Sequence, residues 1–182
     1  MSFILNLVTD QFPQNPRRDR DNVTQIWAAH RRYELGDEGF ESRAVTEAEV
    51  KRLHGPIVLI KKLYMYDHGG ITIKTSPFDC RWDSGQIGWV WITRAKLKAE
   101  YRKSKEYPSQ ASWAEALLEA EVAEYDAYLR GDVWGYTIVE KATSTIVESC
   151  YGFYDEKDAK SEGESVLAQV LASPEQYITQ AA

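Results

Sequence analysis

Between residues 57 and 92, runs of hydrophobic residues are separated by polar segments. Three runs of apolar, β-branched and aromatic residues, Ile57–Tyr66, Ile71–Thr75 and Ile87–Ile92, are separated by polar segments that contain Gly, Pro, Asp and Ser. Runs of this length between such interruptions predict three strands. The first connection, Asp67–Gly70, predicts a tight turn, and the second, Ser76–Gly85, predicts a longer loop.

The longest helix is predicted from Ser109 to Arg130, with Gly131 at its end. Apolar residues recur there at spacings of three and four, and this stripe must face a core: Ala114, Leu118, Val122, Tyr125 and Leu129. The other side carries a row of acidic residues: Glu115, Glu119, Glu121, Glu124 and Asp126. We expect this row to be a solvated helix face, and the alternative is a surface that binds a partner.

Shorter patterns predict the other elements. The predicted helices begin at the cap residue Asn22 (through Ile26, Trp27 and His30), at the capping box of Thr46 and Glu49, at Thr93, and over Asp155–Leu171. The further strands are Phe3–Val8 and a hairpin of Val133–Ala142 with Thr145–Tyr154. This order predicts an α+β fold with a mostly antiparallel sheet and the long amphipathic helix packed on one face.

Length and composition predict one globular domain. The chain has 182 residues, of which 43% are hydrophobic and 27% charged, as is usual for soluble proteins. We expect an N-terminal arm with short helices over residues 1–56, the sheet with inserted helices over 57–154, and a helix and tail over 155–182. The oligomeric state is left open.

The charge balance and the apolar runs exclude some classes of function. With 22 Lys and Arg against 28 Asp and Glu, the balance is −6, so direct nucleic-acid binding is not the expected role. Lys61 and Lys62 interrupt the longest apolar run, so no membrane span is predicted. The first residues lack the pattern of a secretory signal, and we expect a cytoplasmic protein whose two cysteines are reduced.

The two connections of the sheet carry the densest group of reactive side chains. Asp67 and the glycines that follow are explained by the turn itself, whereas His68 is not required there. The enzyme hypothesis therefore takes the following residues as catalytic: Asp67, His68, Asp79, Cys80 and Asp83. With His30 or Asp37, the carboxylates and His68 would form a divalent-metal site for hydrolysis of a phosphodiester. No complete metal or cofactor motif accompanies them, so the metal and the cofactor remain unspecified.

Two further groups have an ordinary structural explanation beside a functional one. A set of arginines could contact phosphates or an acidic partner: Arg17, Arg18, Arg20, Arg31 and Arg32. Acidic residues alternate with them and favour local ion pairs instead: Asp19, Asp21, Glu34, Asp37 and Glu38. Aromatic residues of the strands could form a stacking platform for bases, but core packing explains them more simply: Trp89, Trp91, Trp134 and Tyr136.

Several segments together resemble a family of small bacteriophage and prophage proteins. The resemblance rests on Asn15–Arg17 with Asp21–Asn22, His30–Glu38, Leu63–Thr72, Cys80–Gly88, Tyr128–Tyr136 and Ser149–Tyr154, and so covers most of the chain. Two places depart from the family pattern: Arg18–Arg20, where an acidic and an aromatic residue are more usual, and Gly69, where Ser is common. The family brings no known catalytic residues with it.

The resemblance implies a phage accessory protein that acts in the cytoplasm of the bacterial host. Small acidic phage proteins often inhibit host defence nucleases, so the leading hypothesis is an anti-restriction or anti-CRISPR type of protein that binds a host protein. Its candidate binding residues are His30, Arg31, Arg32, Asp37, Glu115, Glu119, Glu121, Glu124 and Asp126. The rival hypothesis is a small metal-dependent hydrolase or nuclease centred on His68.

Overall fold

A computed structural model describes residues 1–18, 21–37 and 43–181 of the chain. It combines helices with antiparallel strands, and the predicted α+β class is confirmed. The strands form two sheets, however, where the sequence predicted one. The chain divides into two compact units: a central unit, Asn15–Arg130, and a discontinuous unit, Met1–Gln14 with Gly131–Ala182. These boundaries differ from those that the sequence suggested at residues 56 and 154.

The elements follow one another along the chain in a mixed order. They are β1 (Phe3–Thr9), β2 (Gln25–Ala28), α1 (Glu47–His54), β3 (Ile57–Asp67), β4 (Ile71–Lys74), β5 (Ser84–Thr93), α2 (Arg94–Glu100), α3 (Gln110–Arg130), β6 (Trp134–Glu140), β7 (Ile146–Phe153), α4 (Glu156–Ala172) and α5 (Pro174–Ala181). None of these helices is long and apolar enough to cross a membrane within the part of the chain that the structure describes.

The central unit is built on a four-stranded antiparallel sheet with the order β2-β5-β3-β4. Apolar side chains of strand β5 alternate between its two faces. Val90 and Ile92 belong to the core that includes residues of α3, whereas Trp89 and Trp91 belong to a second core with Val50 of α1. Both faces are therefore covered. Because Trp89 and Trp91 are buried, they cannot serve as a stacking platform for bases.

Strand β2 replaces the short helix that was predicted after Asn22, so that prediction is wrong. Ile26 and Trp27 pair with Val90 and Trp89 of β5, and the two side chains enter different cores. A strand that is buried on both faces shows no alternation of polar and apolar residues, so it is difficult to recognise from the sequence. A Cβ atom on Gly88 would lie 1.9 Å from the carbonyl oxygen of Trp27, so this pairing requires glycine.

The discontinuous unit contains a three-stranded antiparallel sheet with the order β1-β6-β7, covered by α4. Its core includes Leu5 of β1, Tyr136 and Ile138 of β6, and Val170 of α4. Gly163 lies at the contact: a Cβ atom there would approach Leu5 Cδ1 to 2.7 Å. The glycine that weakens this helix therefore permits close contact between helix and sheet.

The predicted starts of α1, α2 and α4 are confirmed, whereas the start at Asn22 is not. Thr46 and Glu49 form a reciprocal capping box, Thr93 caps α2, and Asp155 caps α4. In each case a side-chain oxygen accepts a backbone N–H that has no partner inside the helix. Helix α5 was not predicted, because Pro174 suggested only an end. Proline also suits the first position of a new helix, and here it takes that role.

Candidate functional site

The two connections of the four-stranded sheet meet in space. The backbone N–H of Asp67 donates to the carbonyl oxygen of Asp83 at 2.9 Å. The side chain of His68 lies beside the same loop, with Nδ1 3.4 Å from Asp83 Oδ2. Gly69 takes a positive φ of 73° in the turn, a conformation that glycine adopts without strain. The turn therefore holds Asp67 and His68 against the longer loop.

A third segment, which follows β2, comes to the same place. The guanidinium of Arg32 forms an ion pair with Asp67, whose side chain is only 14% exposed. The rings of His30 and Tyr33 stack with their centroids 5.0 Å apart. His30 Nδ1 accepts a hydrogen bond from the backbone N–H of Arg32 at 3.3 Å. His30 and Arg32 are thus held in fixed positions beside Asp67.

These three segments enclose an open pocket of about 290 Å³. Its lining combines charged, aromatic and apolar side chains: His30, Arg32, Met65, Asp67, Trp82, Asp83, Ser84, Gly85 and Ile87. Trp82 is 95% exposed, although tryptophan is among the side chains that gain most from burial. An aromatic side chain at the edge of a polar pocket offers a large contact area to a bound molecule.

The predicted catalytic residues are only partly brought together. Asp67 and Asp83 line the pocket, and Cys80 Sγ lies 3.8 Å from Asp83 Oδ2. Asp79 is exposed and does not line the pocket. Cys80 is half-buried and not fully enclosed, and both cysteines are free thiols. Within residues 1–18, 21–37 and 43–181, no group of three or more His, Cys, Asp and Glu side chains is placed to hold a metal ion.

Asp37, a predicted binding residue, lies in a different cluster. Arg17 has a side chain that is 1% exposed, and it pairs with Asp37 at 2.7 Å and with Glu121 at 3.2 Å. Glu121 also accepts the backbone N–H groups of Val23 and Thr24 at 2.9 and 3.0 Å. These ionised groups are paired and hydrogen-bonded, as buried charges must be. The cluster fixes the segment that leads into β2 and on to His30.

Tyr125 of α3 holds the other end of this segment. Its hydroxyl oxygen accepts the backbone N–H of Gly36 at 3.0 Å, and Asp37 accepts the backbone N–H of Ile26 at 3.0 Å. Burial raises the pKa of the Tyr125 hydroxyl, so it stays neutral over the physiological range. The chain on either side of residues 30–33 is therefore held by α3, through Glu121 before them and Tyr125 after them.

The acidic row of α3 is not the free solvated face that the sequence predicted. Asp126 accepts the backbone N–H of Ile73 at 2.7 Å and pairs with Arg130. Glu119 accepts the hydroxyl of Thr75 at 2.7 Å and pairs with Lys61 at 2.8 Å. These carboxylates fasten strand β4 and its neighbours to the helix. Because of these contacts, they do not form a free row of charges.

The remaining acids of the row also have partners. Lys61 pairs with Glu115 as well as with Glu119. Desolvation lowers the pKa of Lys61, but hydrogen bonds to these two glutamates outweigh it and raise the pKa above its usual value. Glu124 likewise makes an electrostatic or hydrogen-bonding contact. Glu119, Glu121 and Asp126 are thus part of the scaffold, whereas Glu115, with a side chain that is 52% exposed, lies at the surface.

The arginines of the N-terminal third have different environments in the structure. Arg18 pairs with Glu34 at 3.5 Å, which is the kind of local ion pair that the sequence favoured, and Arg31 is exposed. Asp19, Arg20 and Glu38 lie outside the described residues. The sequence did not single out Trp82, and it named Arg17 only as one of the arginines, without its partner Glu121. For Arg17 a signal existed, because its partner Glu121 lies one heptad after Ala114, within the apolar stripe of α3.

Comparison of the chain with protein-family models, with curated proteins and with solved structures gives no match.

Proposed function

We propose that this protein acts by binding another protein through the surface around the pocket. The Trp82 surface is defined as Trp82 with the neighbouring side chains of His30, Arg32 and His68. The observation that carries the proposal is the 95% exposure of Trp82 at the edge of a pocket that three chain segments enclose.

The residue types of this surface favour a protein partner. Trp, Tyr and Arg contribute most of the binding energy in protein interfaces, usually from the centre of the contact. Trp82 provides the apolar area, and the pocket beside it can accept a side chain of the partner. The polar groups of Asp83 and His68 would then surround the contact, as the rim of an interface does.

The resemblance to phage proteins supports a more specific form of this proposal. The partner is a protein of the bacterial host, met in the host cytoplasm, and the proposed class is an inhibitor of a defence nuclease of the restriction or CRISPR type. The contact made by this protein is the Trp82 surface. Helix α3 has no part in it, because its acidic side chains hold the central unit together.

The test is capture of the partner from host lysate with purified wild-type protein and with Trp82→Ala. The substitution should remove the captured protein without lowering the melting temperature, because Trp82 is not part of any core. Phe12→Ala is the matched control, since Phe12 is 93% exposed and lies in the discontinuous unit. Equal capture by wild type and Trp82→Ala, or no protection of phage in plaque assays, would refute the proposal.

One contact supports a second candidate function, hydrolysis with His68 as the general base. Asp83 Oδ2 lies 3.4 Å from His68 Nδ1, so the carboxylate can orient the ring and leave Nε2 to accept a proton from water. Phosphodiester cleavage that is lost in His68→Ala would support it. A rise in melting temperature with Mn²⁺ or Mg²⁺ that is lost in Asp83→Asn would support metal binding at this site.

A further inference from the structure

The segment Arg94–Lys105 carries an unusual concentration of positive charge. Its twelve residues include six basic residues, Arg94, Lys96, Lys98, Arg102, Lys103 and Lys105, and one acidic residue, Glu100. The local balance is +5 in a chain whose total is −6, so the rest of the chain carries −11. Charge is thus strongly separated along this chain, which net charge alone conceals.

Four of the six basic side chains are exposed and available. Lys96 is neutralised by Asp21 at 2.8 Å, and Arg102 donates to the carbonyl oxygens of Ala99 and Tyr101. The other four are Arg94, Lys98, Lys103 and Lys105. No carboxylate among the residues that the structure describes forms an ion pair with these four.

The backbone that carries these charges is held in place. Helix α2 begins at its cap, Thr93, and the N–H of Tyr101 donates to Leu97 at 3.0 Å where the helix ends. The Tyr101 hydroxyl donates to the carbonyl oxygen of Tyr107 at 3.2 Å, and its ring contacts Trp113 with centroids 5.9 Å apart. Ser104 and Tyr107 close the following turn through two hydrogen bonds. The cations therefore project from a fixed scaffold.

We propose that this basic segment binds the phosphate backbone of a nucleic acid, independently of the Trp82 surface. Lysine is depleted at protein interfaces, whereas aromatic residues are enriched there. Here four of the six cations are lysines, and none of the exposed large hydrophobic side chains of the described residues lies in the segment. A surface of flexible point charges without apolar anchors suits a polyanion with evenly spaced charges better than it suits an acidic protein.

Salt dependence provides the test. Anisotropy of a labelled 20-base-pair DNA duplex is measured with the full chain between 50 and 200 mM NaCl. Four phosphate contacts predict a slope of log K against log salt of about −3.6, which is roughly a 150-fold loss of affinity over this range. The test variant replaces the four residues that make the contacts: Arg94→Gln, Lys98→Gln, Lys103→Gln and Lys105→Gln. Its slope should be shallower than that of the wild type by about 3.6.

A control of equal charge separates a local contact from a general effect of net charge. It carries Lys62→Gln, Lys141→Gln, Lys157→Gln and Lys160→Gln, all at exposed positions outside the segment, and its slope should equal that of the wild type. Three results would each overturn the assignment. The two quadruple variants have equal slopes, or the wild type does not bind the duplex at 50 mM salt, or it binds poly-glutamate as tightly as it binds DNA. In the last case the partner would be an acidic protein.

Discussion

Helices α3 and α4 look alike in sequence and differ in what their charges do. Each has an apolar stripe on one side and acidic residues on the other. On α3, Glu121 and Asp126 accept backbone N–H groups of neighbouring segments, and Glu121 also pairs with the buried Arg17. On α4 the acids are exposed: Glu156, Asp158, Glu162 and Glu164. A row of acids on a helix is therefore no evidence of a binding surface until its neighbours are known.

The neighbours explain the difference. Helix α3 lies beside an irregular segment and the edge strand β4, whose backbone N–H groups need partners, and carboxylates provide them. Helix α4 packs on a regular sheet whose strands already satisfy each other, so its contacts are apolar and Gly163 brings it close. Because hydrogen bonds and ion pairs hold the central unit together, its stability should be sensitive to the loss of single charges. The stability of the discontinuous unit should be sensitive to changes in side-chain volume.

The largest effect is expected for Arg17→Ala. Removal of this guanidinium leaves Asp37 and Glu121 enclosed without their cation, and the free energy of unfolding should fall by about 3–5 kcal/mol. Urea denaturation measures it. Glu162→Ala on α4 is the control and should change stability by less than about 0.5 kcal/mol. Similar losses for both variants would contradict the contrast between the two helices.

A smaller effect is expected for Gly163→Ala. Alanine is the better helix former, yet its Cβ would lie 2.7 Å from Leu5 Cδ1 and 3.0 Å from the Tyr136 ring. Overpacking of this kind should lower the free energy of unfolding by about 1–3 kcal/mol. Ser161→Ala, at an exposed position of the same helix, should have the opposite sign, since only helix propensity changes there. A stabilised Gly163→Ala variant would show that the contact is loose.

Acid pH should lower the stability of the central unit through His54. All three histidines of the chain belong to that unit. The ring of His54 lies 4.9 Å from that of Trp91, and desolvation lowers its pKa in the folded state. The unfolded chain then binds the proton at higher pH than the folded chain. Stability should therefore decrease as pH falls through about 6.5.

Denaturation curves of wild type and His54→Phe between pH 8 and pH 5 isolate this contribution. The variant should lose part of the pH dependence, because phenylalanine can fill the site next to Trp27 and Trp91 but cannot take up a proton. An unchanged dependence would mean that other groups are responsible.

The smallest effect is expected for Lys61→Met. Lys61 pairs with Glu115 and Glu119, but all three side chains are partly exposed, so water screens the interaction. The loss should be below about 1 kcal/mol and should shrink further at 1 M NaCl. Lys62→Met at the exposed neighbouring position is the control. A loss that is independent of salt would point to packing of the Lys61 stem.

Local sequence patterns predicted much of the central sheet. Strands β3, β4 and β5, helix α3 and the caps Thr46 and Thr93 follow from periodicity and from residues that satisfy helix ends. The meeting of the two connections did not follow from these patterns, because it depends on β4 and β5 lying on either side of β3.

What the sequence did not predict depended on contacts between distant segments. Strand β2 escaped detection because it is buried on both faces, and the division into two sheets depends on which strands pair. Arg17 resembled other surface arginines until Glu121, 104 positions away, was seen to accept its hydrogen bond. The exposure of Trp82 likewise cannot be read from its neighbours in the chain.

The most direct test of the account is the affinity of the captured host protein for three variants of equal stability. Trp82→Ala should weaken binding by about 30-fold or more, as expected for the loss of a central interface residue worth 2 kcal/mol. Phe12→Ala and Glu115→Gln should bind like the wild type. If Glu115→Gln weakens binding and Trp82→Ala does not, the partner recognises the acidic helix, and the Trp82 surface is not the site of recognition.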